Sequence, residues 1–314
     1  MFRILVLHYS QSGQLDKIAR SVLAPLEAQD GVEVSWQNLQ PKQAYPFPWP
    51  FWQFFDTFPE CVYLDPAPIK PLTIDTDKEF DLIIIAYQVW FLSPSLPIVA
   101  FLQSADAKKL LANKPVVTLV GCRNMWLSAQ DKMRVMLTRL GAQLVDNVVL
   151  QDQGPPWATF ITTPRWVLTG KKNGFWGIFP PAGISEHEII SAKRFGQALT
   201  LALPLLQSGH LGPFLTGLGA VKVNPGYIAG ERLAHRSFKM WGRLLRFMGS
   251  AGSPGRRVVL VFYVIFLVTL ILTVIPLGIV LRALIRPFMR SKLGEQVRQL
   301  EAPSGSSTER LGTI

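Results

Sequence analysis

Five short runs of apolar residues divide the first half of the chain. They are residues 3–8, 32–36, 81–86, 115–121 and 144–150. Apolar residues recur at helical spacing between them, most clearly in residues 15–29, 96–104 and 128–140. Ser185, followed three residues later by Glu188, forms a capping box that opens a further helix running to about Gln207. Continuous apolar strands alternating with helices are typical of a parallel sheet covered on both faces. The pattern therefore predicts one doubly wound α/β domain of five parallel strands over residues 1–210.

Two inserts in this pattern are rich in aromatic rings and prolines. The first, residues 39–78, contains the run YPFPWPFWQFF at 45–55. The second, residues 153–183, carries Trp157, Trp166, Phe175, Trp176 and Phe179. Each insert is open to three interpretations: a loop that packs its own rings, the wall of an apolar substrate pocket, or a loop that dips into a membrane.

The hydrophobic pattern changes in the last third of the chain. Residues 258–281 form a run of 24 residues without a charged side chain. As a helix this run is about 36 Å long at 1.5 Å per residue, enough to cross a hydrocarbon core about 30 Å thick. Pro276 and Gly278 interrupt its last third, which predicts a tilted span with a kinked end. A segment that re-enters or lies on the membrane, and a buried core helix, are the alternatives.

Basic residues surround the apolar run. Arg256 and Arg257 precede it, and Arg282, Arg286, Arg290 and Lys292 follow it. Within the segment 211–257, five cations recur at intervals of four and three residues, which places them on one helical face: Arg232, Arg236, Lys239, Arg243 and Arg246. The opposite side is predicted to carry Leu233, Met240, Trp241, Leu244, Leu245 and Met248. Such a helix is typical of the headgroup layer of an anionic membrane, and a solvated face packed on the globular domain is the alternative.

Composition narrows the possible classes of protein. The chain has 314 residues, is 49% hydrophobic and 17% charged, and has a net charge of +11, which excludes intrinsic disorder as a whole. Residues 1–155 hold 13 Lys and Arg against 15 Asp and Glu, and residues 156–314 hold 19 against 6. The net positive charge lies in residues 156–314, the half of the chain that also contains the apolar run. This half carries no nucleic-acid-binding motif, so the expected partner is a membrane and not nucleic acid. Two cysteines and four scattered histidines predict no metal site.

Three loops are predicted to meet at one edge of the sheet. In a doubly wound sheet of order 2-1-3-4-5, ligands bind beyond the carboxyl ends of the strands, between the first and third. The sequence SQSGQ at 10–14 follows the first strand, YQVWFLSP at 87–94 follows the third, and GCRNMW at 121–126 follows the fourth. Hydroxyls and backbone N–H groups at a helix N-terminus suit a phosphate, and two aromatic loops suit a planar ring.

These loops resemble those of the flavodoxin-like flavoproteins and the related NAD(P)H quinone reductases, over roughly residues 1–207. The GCRNMW run together with the hydrophobic tail is similar to a narrower group, the dialkylresorcinol condensing enzymes. The resemblance implies a flavodoxin-like fold and FMN, whose phosphate binds the first loop and whose ring lies between the other two. The implied cofactor-binding residues are Ser10, Gln11, Ser12, Gly13, Gln14, Gln88, Val89, Trp90, Phe91, Gly121, Arg123, Asn124 and Trp126.

One position departs from the family pattern. Leu15 stands where the phosphate loop ordinarily has a further hydroxyl residue, so one phosphate hydrogen bond is missing unless Gln14 supplies it. Arg123 is the first catalytic candidate, because its charge would stabilise the reduced flavin; a surface arginine is the alternative.

Three further residues near these loops have candidate roles. Trp90 and Trp126 are expected to stack on the flavin ring or simply to fill space. His8 is the second catalytic candidate, for proton transfer, with a core histidine as the alternative.

Two hypotheses about function follow. The first is a membrane-anchored FMN oxidoreductase, with NAD(P)H as a possible reductant, acting on a quinone-like ring or aromatising a dialkyl cyclohexanedione in dialkylresorcinol lipid synthesis. The second is a non-catalytic membrane-docked scaffold or electron-transfer partner with a weak flavin site. The expected location is the inner membrane with the globular domain in the cytoplasm, because no signal peptide precedes the first strand. Lipid-synthesis enzymes such as a ketosynthase are the expected protein partners, and residues 301–314 are expected to be a disordered tail.

Overall fold

The computed structural model describes residues 1–285 and 290–313, and the side chains outside 274–293. Its strands are β1 Phe2–His8, β2 Val32–Asn38, β3 Leu82–Trp90, β4 Ser93–Pro94, β5 Pro115–Cys122 and β6 Gln143–Gln151. Five of them form a parallel sheet in the order β2-β1-β3-β5-β6. This is the predicted order once β4, two residues that pair antiparallel with β3, is set aside. The α/β class and the parallel sheet are confirmed.

Helices cover both faces of this sheet. They are α1 Gln14–Glu27, α4 Leu96–Leu102, α5 Ala105–Leu111, α6 Leu127–Arg139, α8 Glu186–Ser191 and α9 Lys193–Gln207. The Ser185 hydroxyl accepts a hydrogen bond from the backbone N–H of Glu188 at 3.2 Å, so Ser185 caps the helix as predicted. The Ser185 N–H donates to Gln153 Oε1 at 2.8 Å and not to the Glu188 side chain, so the reciprocal half of the capping box does not form. The helix that Ser185 opens is divided into α8 and α9. Gly196 lets α9 lie directly against α1, because a Cβ atom there would be 1.8 Å from the Val22 carbonyl oxygen.

Both inserts contain helices of their own. The first forms α2 Phe51–Asp56 and α3 Phe58–Tyr63, and the second forms α7 Pro156–Thr169. Two long helices, α10 Pro225–Phe247 and α11 Pro254–Ile285, pack on the first insert. Phe58, Val62, Leu245, Leu260 and Tyr263 form a hydrophobic cluster at this junction, separate from the main core.

Helix α11 contains the apolar run. Its segment Pro254–Thr273 is long and apolar enough to cross a membrane, and only 17% of its most apolar window is buried. Val258, Phe262 and Ile265 are exposed, so the segment does not behave as a core helix of this domain. The helical backbone continues through residues 276–278 to Ile285. The predicted basic flank after it, Arg282, Arg286, Arg290 and Lys292, lies outside the described side chains.

Helix α10 carries the predicted cationic stripe. The five cations are exposed as expected, and Leu233, Met240, Leu244, Phe247 and Met248 are exposed as well. The side that packs on the protein carries Ile228, Glu231, Gly242 and Leu245. Tertiary packing therefore buries only part of the predicted apolar side and leaves the rest exposed.

The C-terminal residues correct another prediction. Residues 301–313 were expected to be a disordered tail, but they follow helix α12, Arg290–Glu301, and pack on the domain. The buried Ser304 hydroxyl donates to Asp146 Oδ1 at 2.7 Å, and Arg310 Nη1 donates to the carbonyls of Phe214 and Thr216 at 2.9 Å. The polar composition of this segment supplies partners for buried groups, which a composition argument does not detect.

Candidate functional site

The loops after β1, β3 and β5 meet at the carboxyl edge of the sheet. The register places His8 beside Ala86 and Gln88 beside Gly121, so the three strands end at the same level. These loops and the two inserts enclose a cavity of about 220 Å³. Nine of the residues predicted to bind a cofactor lie on its wall: Gln11, Ser12, Gln14, Gln88, Val89, Trp90, Phe91, Gly121 and Arg123.

The loop after β1 presents unpaired backbone donors. Within the described chain, the N–H groups of residues 12–15 have no hydrogen-bond partner, nor does the Ser12 hydroxyl. Gly13 is left-handed, with φ 78°, and apart from its own chain neighbours nothing lies within 4 Å of where its Cβ would be. The Ser10 hydroxyl instead accepts from the Asp16 N–H at 3.3 Å. Four free donors at the start of α1, next to open space, form a cradle for an anion.

The side-chain amides of the two glutamines of this loop are bonded to other parts of the chain. Gln14 Nε2 donates to the Ile184 carbonyl at 2.9 Å, and Gln14 Oε1 accepts from the Ile184 N–H at 3.1 Å. Gln11 Nε2 donates to the Pro46 carbonyl at 2.7 Å and Gln11 Oε1 accepts from Trp49 Nε1 at 2.8 Å. Gln11 therefore attaches the loop to the first insert, and Gln14 attaches it to Ile184, directly after the second insert. Gln14 does not replace the hydroxyl that Leu15 lacks, and the Leu15 side chain is buried in the core.

The loop after β3 adopts a strained turn. Phe91 and Leu92, with φ values of 46° and 59°, are both left-handed and join β3 to β4. Such a turn ordinarily uses Gly, Asn or Asp, so two bulky residues here cost about 1–3 kcal/mol each. The turn holds Phe91 and Trp90 on the cavity wall. Trp90 packs against the rings of Tyr45 and Trp49, at centroid distances of 5.0 Å and 5.6 Å.

Arg123, in the loop after β5, brings a cation to the cavity. Its Nε donates to Thr159 Oγ1 at 2.9 Å, and its guanidinium lies 3.9 Å from the centre of the Phe160 ring. Its Nη2 is buried without a hydrogen-bond partner, and burial lowers the pKa of the side chain to about 10. Among the described residues, no carboxylate lies within 4 Å of it. A partly buried cation with a buried, unpaired N–H favours a bound anion or a ring that becomes negative.

Five predicted site residues do not line the cavity: His8, Ser10, Gly13, Asn124 and Trp126. His8 packs edge-on against Trp36, with its Nδ1 3.8 Å from Asp16 Oδ1, and burial lowers its pKa. Trp126 is 2% exposed and lies in the core at the start of α6. These positions agree with the alternatives given for the two residues, a core histidine and a tryptophan that fills space. Position in the sequence brought both near the site, but their side chains point elsewhere.

The inserts contribute wall residues that were not predicted one by one. These are Phe47, Trp49 and Phe54 from the first insert and Thr163, Trp166, Val167 and Gly183 from the second, with Asp152 just before it. Phe47 and Trp166 pack together at 6.1 Å, so the two inserts meet over the cavity. Of the three interpretations of the inserts, the positions of these residues support the wall of a pocket. The density of aromatic residues was the only signal available, and it does not indicate which rings point inward.

Cys122 also lines the cavity. Burial raises the pKa of its thiol well above the usual value, and its Sγ lies 3.8 Å from the Leu150 carbonyl oxygen. A thiol that stays protonated is a poor nucleophile, so Cys122 is not a reactive group of the cavity. Among the described residues there is also no group of three or more His, Cys, Asp or Glu side chains that could hold a metal ion.

Comparison with known proteins yields only distant structural similarity. No model of a known family and no curated sequence matches the chain. A flavoprotein in complex with FMN from Lactobacillus acidophilus NCFM is 18% identical, covering 48% of this chain and 93% of its own, with a TM-score of 0.39. A flavodoxin from the domain Archaea is 11% identical (62% and 94%, TM-score 0.36), and an azoreductase from Bacillus anthracis str. Sterne is 14% identical (62% and 100%, TM-score 0.34). None of these supports the narrower resemblance to dialkylresorcinol enzymes.

Proposed function

We propose that the cavity binds FMN and that the protein is a flavin-dependent oxidoreductase. One observation carries this proposal: the unpaired N–H groups of Ser12, Gln14 and Leu15 and the unpaired, buried Nη2 of Arg123 belong to residues that border the same cavity. The first set suits a phosphate and the second suits the electron-rich part of a ring. Aromatic side chains between them supply apolar walls for a planar group.

The residues of the cavity have distinct tasks in this proposal. Bound FMN supplies the chemistry of hydride and electron exchange. The N–H groups of residues 12–15 hold the phosphate and thereby position the ring. Arg123 opposes the negative charge that reduction adds, and its low exposure to water strengthens that effect. Trp49, Trp90 and Phe91 exclude water from the ring, and Cys122 remains a neutral thiol.

The substrate in this proposal is a lipophilic ring, either quinone-like or a dialkyl cyclohexanedione that is aromatised. Support comes from the position of the cavity beside α11. Phe54 lies on the cavity wall and contacts Phe55 at 5.1 Å, and Phe55 contacts Tyr263 of α11 at 6.5 Å. A substrate with long alkyl chains partitions into a bilayer, so a site fixed beside a membrane-spanning α11 would meet it more often. We propose the inner membrane, with the domain in the cytoplasm, NAD(P)H as reductant and a ketosynthase as a possible partner.

A comparison of FMN with riboflavin tests the cradle. The full chain, purified in mild detergent, is titrated with each flavin, and binding is followed by quenching of flavin fluorescence. We expect FMN to bind at least about tenfold more tightly than riboflavin, because charge-assisted hydrogen bonds contribute about 1.5–3 kcal/mol each. Inorganic phosphate should compete with FMN and not with riboflavin. Equal affinities would contradict a phosphate site at residues 12–15.

Turnover is tested with the same preparation. NAD(P)H should bleach the visible absorbance of the bound flavin, and a long-chain quinone should restore it. A water-soluble quinone that lacks the alkyl chain serves as the comparison, because it does not partition into the detergent micelle. Failure of both quinones to restore the absorbance would contradict the oxidoreductase assignment.

A second candidate function is a membrane-docked scaffold without catalysis. Leu15 favours it, since its buried side chain replaces a hydroxyl on the phosphate loop and Gln14 is committed to Ile184. A colourless protein that takes up neither flavin would support the scaffold and exclude the enzyme.

A further inference from the structure

The second insert displays an apolar surface that the cavity does not use. Trp176 is 82% exposed, Ile178 is 65% exposed and Trp157 is 55% exposed. Trp176 and Ile178 belong to the loop 175–179, called here the insert tip. Trp157 of α7 lies beside it, since both tryptophans contact the Phe179 ring, at 5.7 Å and 6.1 Å. Large apolar side chains grouped on a surface generally mark an interaction site.

The insert tip is built to hold these side chains outward. The Phe175 N–H donates to the Phe179 carbonyl and the Phe179 N–H donates to the Phe175 carbonyl, each at 3.1 Å. The two rings stack at 4.6 Å with an interplanar angle of 12°. At its apex, Trp176 and Gly177 are left-handed, with φ values of 54° and 65°. Trp176 therefore occupies a strained conformation in a closed loop, and its exposure is a defined feature of the fold.

Cations stabilise and surround this loop. The Arg165 guanidinium lies 4.3 Å from the centre of the Phe175 ring and donates to the carbonyls of Lys171 and Asn173. Lys171 is exposed, and Lys172 lies beside the Trp166 ring. The insert tip therefore has apolar side chains at its apex and basic residues at its base. A membrane surface has the complementary arrangement, because its apolar chains lie beneath its anionic headgroups.

A series of contacts connects the insert tip to α11. The tip lies on α7, where the Val167 carbonyl accepts from the Trp49 N–H at 2.8 Å. Trp49 contacts Phe54 of α2 at 5.9 Å, and α2 packs on α11 through Phe55 and Tyr263. The cavity wall is thus the structure that joins the tip to the candidate membrane helix.

We propose that the insert tip is a second membrane contact, which inserts Trp176 and Ile178 into an anionic lipid leaflet. The inference rests on the proposed membrane location of α11. It adds that the domain is held at two points, so the cavity wall between them faces the lipid surface. Contact with another protein is the competing explanation of the exposed patch, and the test below separates the two.

Site-directed fluorescence tests this inference on the full chain in vesicles of phosphatidylcholine and phosphatidylglycerol. A nitrobenzoxadiazole label is attached to Ile178→Cys, which keeps Trp176. The same label at Ile265→Cys reports on α11, and at Asp30→Cys it reports on an exposed loop at the opposite end of α1. The parent protein, which has no added cysteine, is treated with the same reagent to measure any labelling of Cys61 and Cys122. When vesicles are added, we expect the emission of the label at position 178 to shift to the blue. Spin-labelled lipids in those vesicles should then quench this emission. Neither change is expected at position 30.

Each result has a separate meaning. Quenching at 178 that decreases in the Trp176→Asp background supports the inference. Quenching at 265 with none at 178 overturns it and leaves the α11 tether intact. A blue shift at 178 without quenching by lipid indicates burial against protein and also overturns it. Quenching at neither 178 nor 265 contradicts both the inference and the tether.

Discussion

Replacing Arg256 with methionine is expected to lower the free energy of unfolding of the detergent-solubilised protein by about 3 kcal/mol. Arg256 is buried at the start of α11; its Nε donates to Asp56 Oδ1 at 2.7 Å and its Nη2 to Glu60 Oε2 at 2.7 Å. Methionine would leave two carboxylates beside each other without a counter-ion. The value lies at the low end of the roughly 3–5 kcal/mol for a broken buried pair, since both carboxylates remain partly exposed.

Chemical denaturation monitored by tryptophan fluorescence measures this loss. Arg257→Met is the matched control: it removes the adjacent, exposed arginine, which makes no ion pair among the described residues, and should change stability by less than about 0.5 kcal/mol. Arg256→Lys retains the charge but not the paired geometry, so it should fall between the two. Equal stability of Arg256→Met and Arg257→Met would show that this ion pair does not hold α11 to the first insert.

The same ion pair illustrates what the sequence could not predict. Arg256 appeared only as a positive flank of an apolar run, and Asp56 and Glu60 only as polar residues of an aromatic insert. Their contact spans about 200 residues of chain and depends on how α11 packs on α2 and α3. Long-range pairs of this kind leave no local signal in the sequence, whereas the five parallel strands and the helix cap at Ser185 do.

The candidate site was predictable at the level of loops and not of side chains. Because parallel strands end at one edge of a sheet, the loops after β1, β3 and β5 had to converge, and they do. Which residues face the cavity depends on strand faces and on local turns. His8 lies at the end of β1 but packs on Trp36, and Trp126 enters the core where α6 begins. The left-handed pair Phe91 and Leu92 was equally hidden, since neither residue type indicates such a turn.

The prediction of a disordered C-terminal tail was wrong for a related reason. A segment rich in Ser, Gly and Thr is normally assigned as disordered from its composition. Here the buried carboxylate of Asp146 accepts from the N–H groups of Phe214 and Leu215 and from the Ser304 hydroxyl. The need of a buried carboxylate for donors therefore orders a segment that has few apolar residues of its own.

Replacing Arg123 with methionine is expected to separate flavin binding from flavin reduction. The phosphate cradle at residues 12–15 is unchanged, so FMN affinity should fall only a few-fold. The reduced flavin loses the cation that opposes its negative charge, and one hydrogen bond to a charged group contributes about 1.5–3 kcal/mol. Since about 30 mV corresponds to 1.4 kcal/mol for two electrons, the potential of bound FMN should fall by about 30–60 mV.

Equilibration of the bound flavin with dyes of known potential measures this shift, and NAD(P)H reduction should slow in parallel. Arg194→Met is a matched control, because Arg194 also lies over a phenylalanine ring, at 4.2 Å from the centre of Phe195, but does not line the cavity. Arg123→Lys should recover part of the potential, since it restores a charge without the planar geometry. If Arg123→Met and Arg194→Met gave the same potential as the parent protein, Arg123 would be a structural residue of the second insert. Its hydrogen bond to Thr159 and its contact with Phe160 would then account for its burial.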